Sequence, residues 1–344
     1  MQLKRFRRGE QFLLAVNLAG PNPGAANGGE QWIQLDQLPG LEHAGSDMLA
    51  VLAQWPQLKP LLDQALQNAD GNNLPALPAD AQPVAAFVPL SLRDFMLSEQ
   101  HAVNAARGMV RHFMPRVSPL VKGFEKISGR VFPALKPKPL WYQQPLYYFS
   151  NHLNVAGDDA VIDWPAYTRY LDYELELAFV LAQPLKNATP QQALAAIGGF
   201  LVLNDVSARD VQLAEMRSGF GPQKAKHFVN ALSYTVATAD AVLPRVNQLR
   251  AEARINGAVV CKTTTSNLQH SIADMLVHAS RDEQLHPGEV FGLGTLPGGC
   301  ALENDHWLQP GDSIELWIEG VGQLRNRIAA PDAASATHSA AKGR

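Results

Sequence analysis

The segment Asp172-Tyr173-Glu174-Leu175-Glu176 runs directly into Leu177-Ala178-Phe179-Val180-Leu181-Ala182, and it constrains the fold more than any other stretch of the chain. Strand side chains alternate between faces, so Glu174 and Glu176 share one face with Asp172 in line behind them. The wholly apolar run that follows is the pattern of a strand buried on both faces. Carboxylates carried into such a place repel one another and lose their water, which is very costly for an unpaired charge. A positive partner is required, and a divalent cation held by oxygens is the simplest candidate.

With 344 residues, 46% of them hydrophobic, the chain can bury a sizeable core in one large domain or two. A net charge of −3 offers no electrostatic footprint for nucleic acid or an anionic membrane, so neither is expected as a partner. Cys261 and Cys300 form no Cys-x-x-Cys pair, which argues against a thiolate zinc or iron–sulfur site and suits a reducing compartment. No apolar run is long enough to span a bilayer. Lys4, Arg5, Arg7 and Arg8 before Phe12–Val16 imitate a signal peptide, but the run is short, bordered by Glu10 and Gln11 and broken by Asn17. A β-hairpin turning at Arg8-Gly9-Glu10 is expected instead, in a soluble, cytoplasmic protein.

Residues 1–88 read as a small β-rich N-terminal domain. Strand-like pieces fall at Phe12–Leu18 and Trp32–Leu35, and a helical pattern runs through Met48–Leu66. A break at 68–73 and a proline-dotted linker at 74–89 follow. The catalytic domain is expected over 89–328, with a disordered Ala- and Ser-rich tail at 329–344. Ser98–Phe113 has helical periodicity. Pro115, Pro119, Pro133, Pro137, Pro139 and Pro145 predict an irregular stretch over 115–146, of the kind that forms lids or binding loops. Thr189-Pro190 predicts a helix start, and Ser266 with Gln269 a capping box for a helix reaching about Ser280. Phe200–Leu203 and Ile314–Ile318 read as strands.

Several residues could carry chemistry. Asp205, just after the apolar Phe200–Leu203, suits either a turn cap or a site shared with another strand. Arg209 and Asp210 on their own read as a surface pair, and Asp94 and His101 flank the start of the Ser98–Phe113 helix. Lys226 lies in a polar stretch where most lysines are solvated. Glu315 sits between Ile314 and Leu316 and needs a partner if it faces the core. The glycine-rich loop 292–299 lacks the Lys-Ser/Thr of a P-loop and does not match the dinucleotide fingerprint.

In combination these residues resemble a known family. Asp-Tyr-Glu-Leu-Glu-Leu-Ala-Phe at 172–179 and Asn-Asp-Val-Ser-Ala-Arg-Asp-Val-Gln at 204–212 closely resemble the core signature of the fumarylacetoacetate hydrolase family. Gly-Pro-x-x-x-Lys ending at Lys226, Gly-Thr-Leu-Pro-Gly at 294–298 and Ile-Glu-Leu at 314–316 follow in the family's order, so the resemblance covers about residues 90–326. It implies an α+β, mostly β fold, with a C-terminal mixed β-roll preceded by a small β-rich N-terminal domain. It puts the metal carboxylates on Glu174, Glu176 and Asp205, with Asp94 as a fourth from an Asp-Phe pair seven residues before a catalytic His101. Asp172 stays outside the metal ligands. Glu315 is implied to orient His101, and Arg209, Gln212 and Lys226 to stabilise an oxyanion. An all-carboxylate set suits Mg²⁺ or Ca²⁺, with Mn²⁺ open.

Tyr148, Thr295 and Met96 are the substrate-binding candidates. Met96 stands where members resembling true fumarylacetoacetate hydrolases carry Tyr, and Met216 falls near a second replaced Tyr. The Arg expected after His101 has only Arg107 and Arg111 as candidates. The machinery is therefore implied intact, with a recognition surface unlike that for fumarylacetoacetate. The implied activity is hydrolysis of a carbon–carbon bond in a 1,3-diketo acid, fumarylacetoacetate- or acylpyruvate-like, as in aromatic catabolism. Decarboxylation, tautomerisation or hydration of 2-oxo acids on the same metal site is the alternative, and a non-catalytic metal-stabilised binding protein is a third reading. The family also implies a homodimer.

Overall fold

The computed structural model describes residues 1–18, 31–68 and 74–330. The tail beyond 330 and most of the expected break at 68–73 lie outside the described residues. The acid-bearing strand Leu175–Leu181 lies inside a 12-stranded mixed sheet, antiparallel to Ile197–Asn204 on one side and Glu289–Thr295 on the other. Ser91–Phe95 continues the sheet parallel to Glu289–Thr295, and Tyr147–Ser150 follows antiparallel. On the opposite flank Thr235–Thr238 joins Ile197–Asn204 to the N-terminal strand Gln2–Arg8. The strands read as an N-terminal unit are thus hydrogen-bonded into the sheet that carries the acids. A second, five-stranded sheet has Ser313–Ile318 at its centre. The whole is α+β and mostly β. Among the described residues no helix is long and apolar enough to cross a membrane.

Leu175–Leu181 is buried at every position because each face meets its own core. Leu175, Leu177 and Phe179 join one cluster with Phe200 and Val202, while Ala178 and Val180 join another with Val51 and Leu52. Phe179 stacks on Phe291 at 5.1 Å between centroids, which contributes roughly 0.5–1.5 kcal/mol beyond area burial. The expected hairpin forms between Gln2–Arg8 and Gln11–Asn17, with Gly9 at φ +58° supplying the left-handed turn residue.

Four expectations about elements need correction. Residues 115–146 are not irregular: they form helices at Ser118–Ser128 and Pro139–Gln143 and a 3₁₀ turn at Pro133–Leu135. Pro119, Pro133 and Pro139 sit in first turns, where a missing N–H costs no hydrogen bond. The helix near 270 starts at Ser271, not Ser266, with Asp274 as the reciprocal capping partner. Asn267, at φ +62°, breaks the helical path between them. The 74–89 stretch is no free linker, since Gln82–Val84 pairs with Gln2–Arg8. The Met48–Leu66 pattern is two helices, Met48–Ala53 capped by Asp47, and Trp55–Asn68. Gln54, at φ −98° and ψ 4°, caps the first and separates the two.

Burial pushes the carboxyl of Asp158 up to about 6, against a backbone hydrogen bond from Tyr234. It binds its proton more tightly folded than unfolded. The associated stability is complete below 3.8 and is lost as pH rises through about 6. Relative to Asp158→Asn, the wild type should lose about 3 kcal/mol of unfolding free energy between about pH 4 and 7. Denaturant titrations of both proteins across that range check it, and parallel curves would refute it.

Candidate metal centre and active site

Sheet register gathers the acids. Asp94 pairs with Gly292 on one side and Tyr148 on the other, and Glu176 lies opposite Thr295 and Leu203. Asp205 follows the last residue of the Ile197–Asn204 strand. Side-chain oxygens of Asp94, Glu176 and Asp205, all buried, come within 4.8 Å of one another. Among the described residues, Asp94 Oδ1, Glu176 Oε2 and Asp205 Oδ1 have no hydrogen-bond partner. Glu176 accepts from the Thr295 hydroxyl (3.1 Å) through its other oxygen, and Asp205 accepts from Tyr148 (2.5 Å) and Lys226 (2.5 Å) through Oδ2.

Three bare carboxylate oxygens facing one another are a fit for a hard cation. Oxygens on opposite sides of an ion bound at 2.3–2.6 Å lie about 4.6–5.2 Å apart, so carboxylate oxygens that all fall within 4.8 Å of one another can share one ion. A glycine keeps the cradle open, because a Cβ at Gly292 would collide with Asp94 Oδ1 and lie 3.0 Å from Glu176 Oε2. Gly292→Ala should therefore lower Mg²⁺ affinity at least about tenfold while the sheet still forms. Calorimetry and circular dichroism together check this, and unchanged affinity would refute it.

Burial first, then the neighbouring Asp205 charge, raises the carboxyl of Asp94 well above its ordinary range. Burial and then Asp94 do the same for Glu176, and burial also raises Asp205. Glu174 behaves oppositely. Burial works to raise it, but the Arg209 and Lys226 charges outweigh that and hold it well below the carboxylate range. Its oxygens are taken by Arg209 Nη2 (2.7 Å) and by Lys226. Glu174, expected among the metal ligands, therefore lies in an ion-pair network beside the cluster of the other three.

Arg209 is 2% exposed, far from the surface pair its neighbour suggested. It opens the Arg209–Ser218 helix, donating from Nε to Asp172 (2.8 Å) and from Nη1 to Gln212 (2.9 Å). Asp172 in turn accepts the Ala301 and Leu302 backbone N–H groups at 2.7 and 3.0 Å. Its place outside the metal cluster is thus structural: from the short strand Leu171–Asp172, paired with Ser207–Ala208, it holds the Ala301–Asn304 turn.

That turn supplies the partner of His101. Ser98 caps the Glu99–Phe113 helix by accepting from the His101 N–H, so His101 lies in the first turn. Gly108, without a Cβ, lets the helix approach the Leu302 backbone. His101 Nδ1 then lies 2.6 Å from Glu303 Oε1, while Glu303 Oε2 accepts the Gly298 N–H at 3.0 Å. A carboxylate only accepts, so Nδ1 carries the proton and Nε2 is left as the basic nitrogen. Glu315 does not orient His101. It lies across the second sheet's ladder from Arg254, 4.0 Å from that guanidinium, with 28% of its side chain exposed. Glu303 was the functional residue missed. The available signal was its place just after the glycine loop, in Gly299-Cys300-Ala301-Leu302-Glu303.

A cavity of about 620 Å³ opens over the cluster. His101, Asp94, Glu174, Glu176, Asp205, Arg209, Gln212 and Lys226 all line it, as do Tyr148, Thr295 and Met96. Of the candidates, Glu315, Arg107 and Arg111 are not among its lining residues. Trp141 donates its ring N–H to the Met96 carbonyl (2.5 Å), so the Pro139–Gln143 helix is tied down beside the opening.

The family model of the fumarylacetoacetate (FAA) hydrolase C-terminal domain matches residues 125–329, more than half of the chain. The chain belongs to the fumarylacetoacetate hydrolase family. A mitochondrial oxaloacetate tautomerase of Xenopus laevis is 25% identical, over 76% of this chain and 85% of that protein. The Escherichia coli bifunctional isomerase/decarboxylase of 4-hydroxyphenylacetate degradation is 26% identical, over 67% of this chain and 56% of its own length. The fold is shared with the fumarylacetoacetate hydrolase of Exiguobacterium antarcticum, at a TM-score of 0.65, 21% identity, and coverage of 96% of this chain and 100% of that one. Enzymes of this family typically bind a divalent metal, and the acidic cluster is where this chain would hold one.

Proposed function

We propose that the protein is a divalent-cation-dependent enzyme acting on 2-oxo acids, and that it hydrolyses the carbon–carbon bond of a 1,3-diketo acid. The observation that carries this reading is a buried His101 fixed by Glu303 on the same cavity as three carboxylates that each keep one oxygen without a hydrogen-bond partner among the described residues. Asp94, Glu176 and Asp205 would hold the cation, and Mg²⁺, Ca²⁺ and Mn²⁺ all suit an oxygen set. When bound, the cation polarises a substrate carbonyl and offsets the charge of the departing enolate.

His101 Nε2 takes a proton from water as the water oxygen bonds to the distal carbonyl carbon, and Glu303 stabilises the resulting imidazolium. Lys226, buried and with its pKa raised, burial notwithstanding, chiefly by Asp205 and Glu174, stays charged to donate to the alkoxide. Collapse of the alkoxide breaks the carbon–carbon bond, and the His101 proton goes to the carbon that leaves. The products are a carboxylic acid and a shorter 2-oxo acid. Arg209 has its donors committed to Asp172, Glu174 and Gln212, so it positions the others.

The relatives favour one second reading. Several are named as a tautomerase or an isomerase/decarboxylase, and the same histidine could move a proton between carbon and oxygen without adding water. Acylpyruvates and oxaloacetate, assayed with and without chelator, separate the two. Chelator-sensitive cleavage of acylpyruvate to two acids supports hydrolysis. Turnover of oxaloacetate with intact acylpyruvate would replace it by tautomerisation or decarboxylation.

A further inference from the structure

The cavity is larger than the chemistry needs, and its charge is all at one end. The charged residues lining it are Asp94, His101, Glu174, Glu176, Asp205, Arg209 and Lys226, which together make up the site already described. From His101 the cavity runs along one face of the Glu99–Phe113 helix past Ala102, Ala105, Ala106, Met109 and Val110. Nine residues of helix extend it by about 13 Å. Val117, Val121, Phe132 and Leu135, from the helical segment after Met114, form the facing wall, and Leu213 and Met216 line it from the Arg209–Ser218 helix.

The basic residues of this helix do not serve the arm. Arg107 pairs with Glu125 (3.0 Å) and Arg111 with Asp305 (2.8 Å). Arg217 reaches the Met114 sulfur (3.1 Å) from an exposed position and does not line the cavity. Inside the site, Arg209 and Lys226 are already paired with Asp172, Glu174 and Asp205. Among the described residues no cation beyond those of the site lines the cavity, so a carboxylate in the arm would lose water without a lining charge to meet it, whereas methylene groups would gain from burial.

We propose that this arm selects 2-oxo or diketo acids with a long, uncharged apolar tail and rejects those with a second carboxylate at the distal end. This rests on the 2-oxo acid reading of the site above.

Calorimetry on the Mg²⁺-loaded protein with pyruvate, 2-oxooctanoate and 2-oxooctanedioate tests it without depending on which reaction follows. 2-Oxooctanoate should bind at least about tenfold tighter than either of the others. Ala105→Phe, which fills the arm, should erase that advantage while pyruvate affinity, the control for folding and for the head group, stays within about twofold. Metal-dependent binding of pyruvate with no gain from the chain, or tighter binding of the diacid, overturns the tail assignment alone. Failure of all three acids to bind removes the 2-oxo acid head group and the tail proposal with it.

Discussion

His101→Ala is expected to lower kcat on an acylpyruvate by about 10²–10⁴-fold, the usual contribution of a positioned general base, while Mg²⁺ affinity stays within about twofold. The separation follows from geometry. His101 is hydrogen-bonded to Glu303, whereas the unpaired oxygens belong to Asp94, Glu176 and Asp205. Glu303→Gln should also be damaging, by about 10²-fold or more, because a neutral amide cannot offset an imidazolium and no longer dictates which ring nitrogen carries the proton. Glu315→Gln, on the second sheet beside Arg254, should leave kcat near wild type. Steady-state kinetics on the three variants decide the matter. Loss of activity in Glu315→Gln with retention in Glu303→Gln would reverse the assignment of the dyad.

Glu176→Gln is expected to cost at least about 10³-fold in activity, about 4 kcal/mol of transition-state stabilisation, through loss of the cation. It should also invert the order of stabilities. Without metal, Glu176 faces Asp94 and Asp205 in a buried cluster, and burial with the Asp94 charge raises its carboxyl well above the normal range. Its proton is held more tightly folded than unfolded, so the metal-free wild type loses stability as pH rises through the raised value. The neutral amide removes that loss, and metal-free Glu176→Gln should unfold at a higher temperature than metal-free wild type. With Mg²⁺ at about 100 times its dissociation constant, the wild type should gain about 2.7 kcal/mol and the variant almost nothing. Thermal unfolding with chelator and with Mg²⁺ would show the curves changing places. Equal responses of both proteins to Mg²⁺ would count against Glu176 as a ligand.

The burial of the acid-bearing strand was legible because its signal is local: the apolar run from Leu177 gives burial on both faces, and Glu176 leads directly into it. The alternation expected to include Glu174 does not reach it, since the strand begins at Leu175 and residues 173 and 174 lie outside the ladder. Asp205 after an apolar strand and Asp94 beside a helix start were visible as candidates, but only the family's order of motifs joined them to Glu176, since nothing in their own neighbourhoods reveals that sheet register brings them together. The dyad partner was misread because it depends on a helix meeting a short turn about 200 residues away in sequence, at Gly108 and Leu302. Glu315 and Glu303 look equally plausible until that approach is seen. The sequence shows the carboxylate of Glu174 but not the Arg209 and Lys226 charges that engage both its oxygens here. The prolines of 115–146 were read as breakers, although Pro119, Pro133 and Pro139 open helical turns. That misreading hid the apolar wall of the cavity.

Titration of chelator-stripped protein with Mg²⁺ by calorimetry in buffers of different ionisation enthalpy tests the central claim most directly. Burial and mutual repulsion raise Asp94, Glu176 and Asp205, so uptake of one ion per chain should release protons and tighten as pH rises. Binding should disappear in Glu176→Gln and persist in His101→Ala. An absence of Mg²⁺, Ca²⁺ and Mn²⁺ binding in the wild type, or unchanged binding in Glu176→Gln, would contradict the assignment of this cluster as the metal centre.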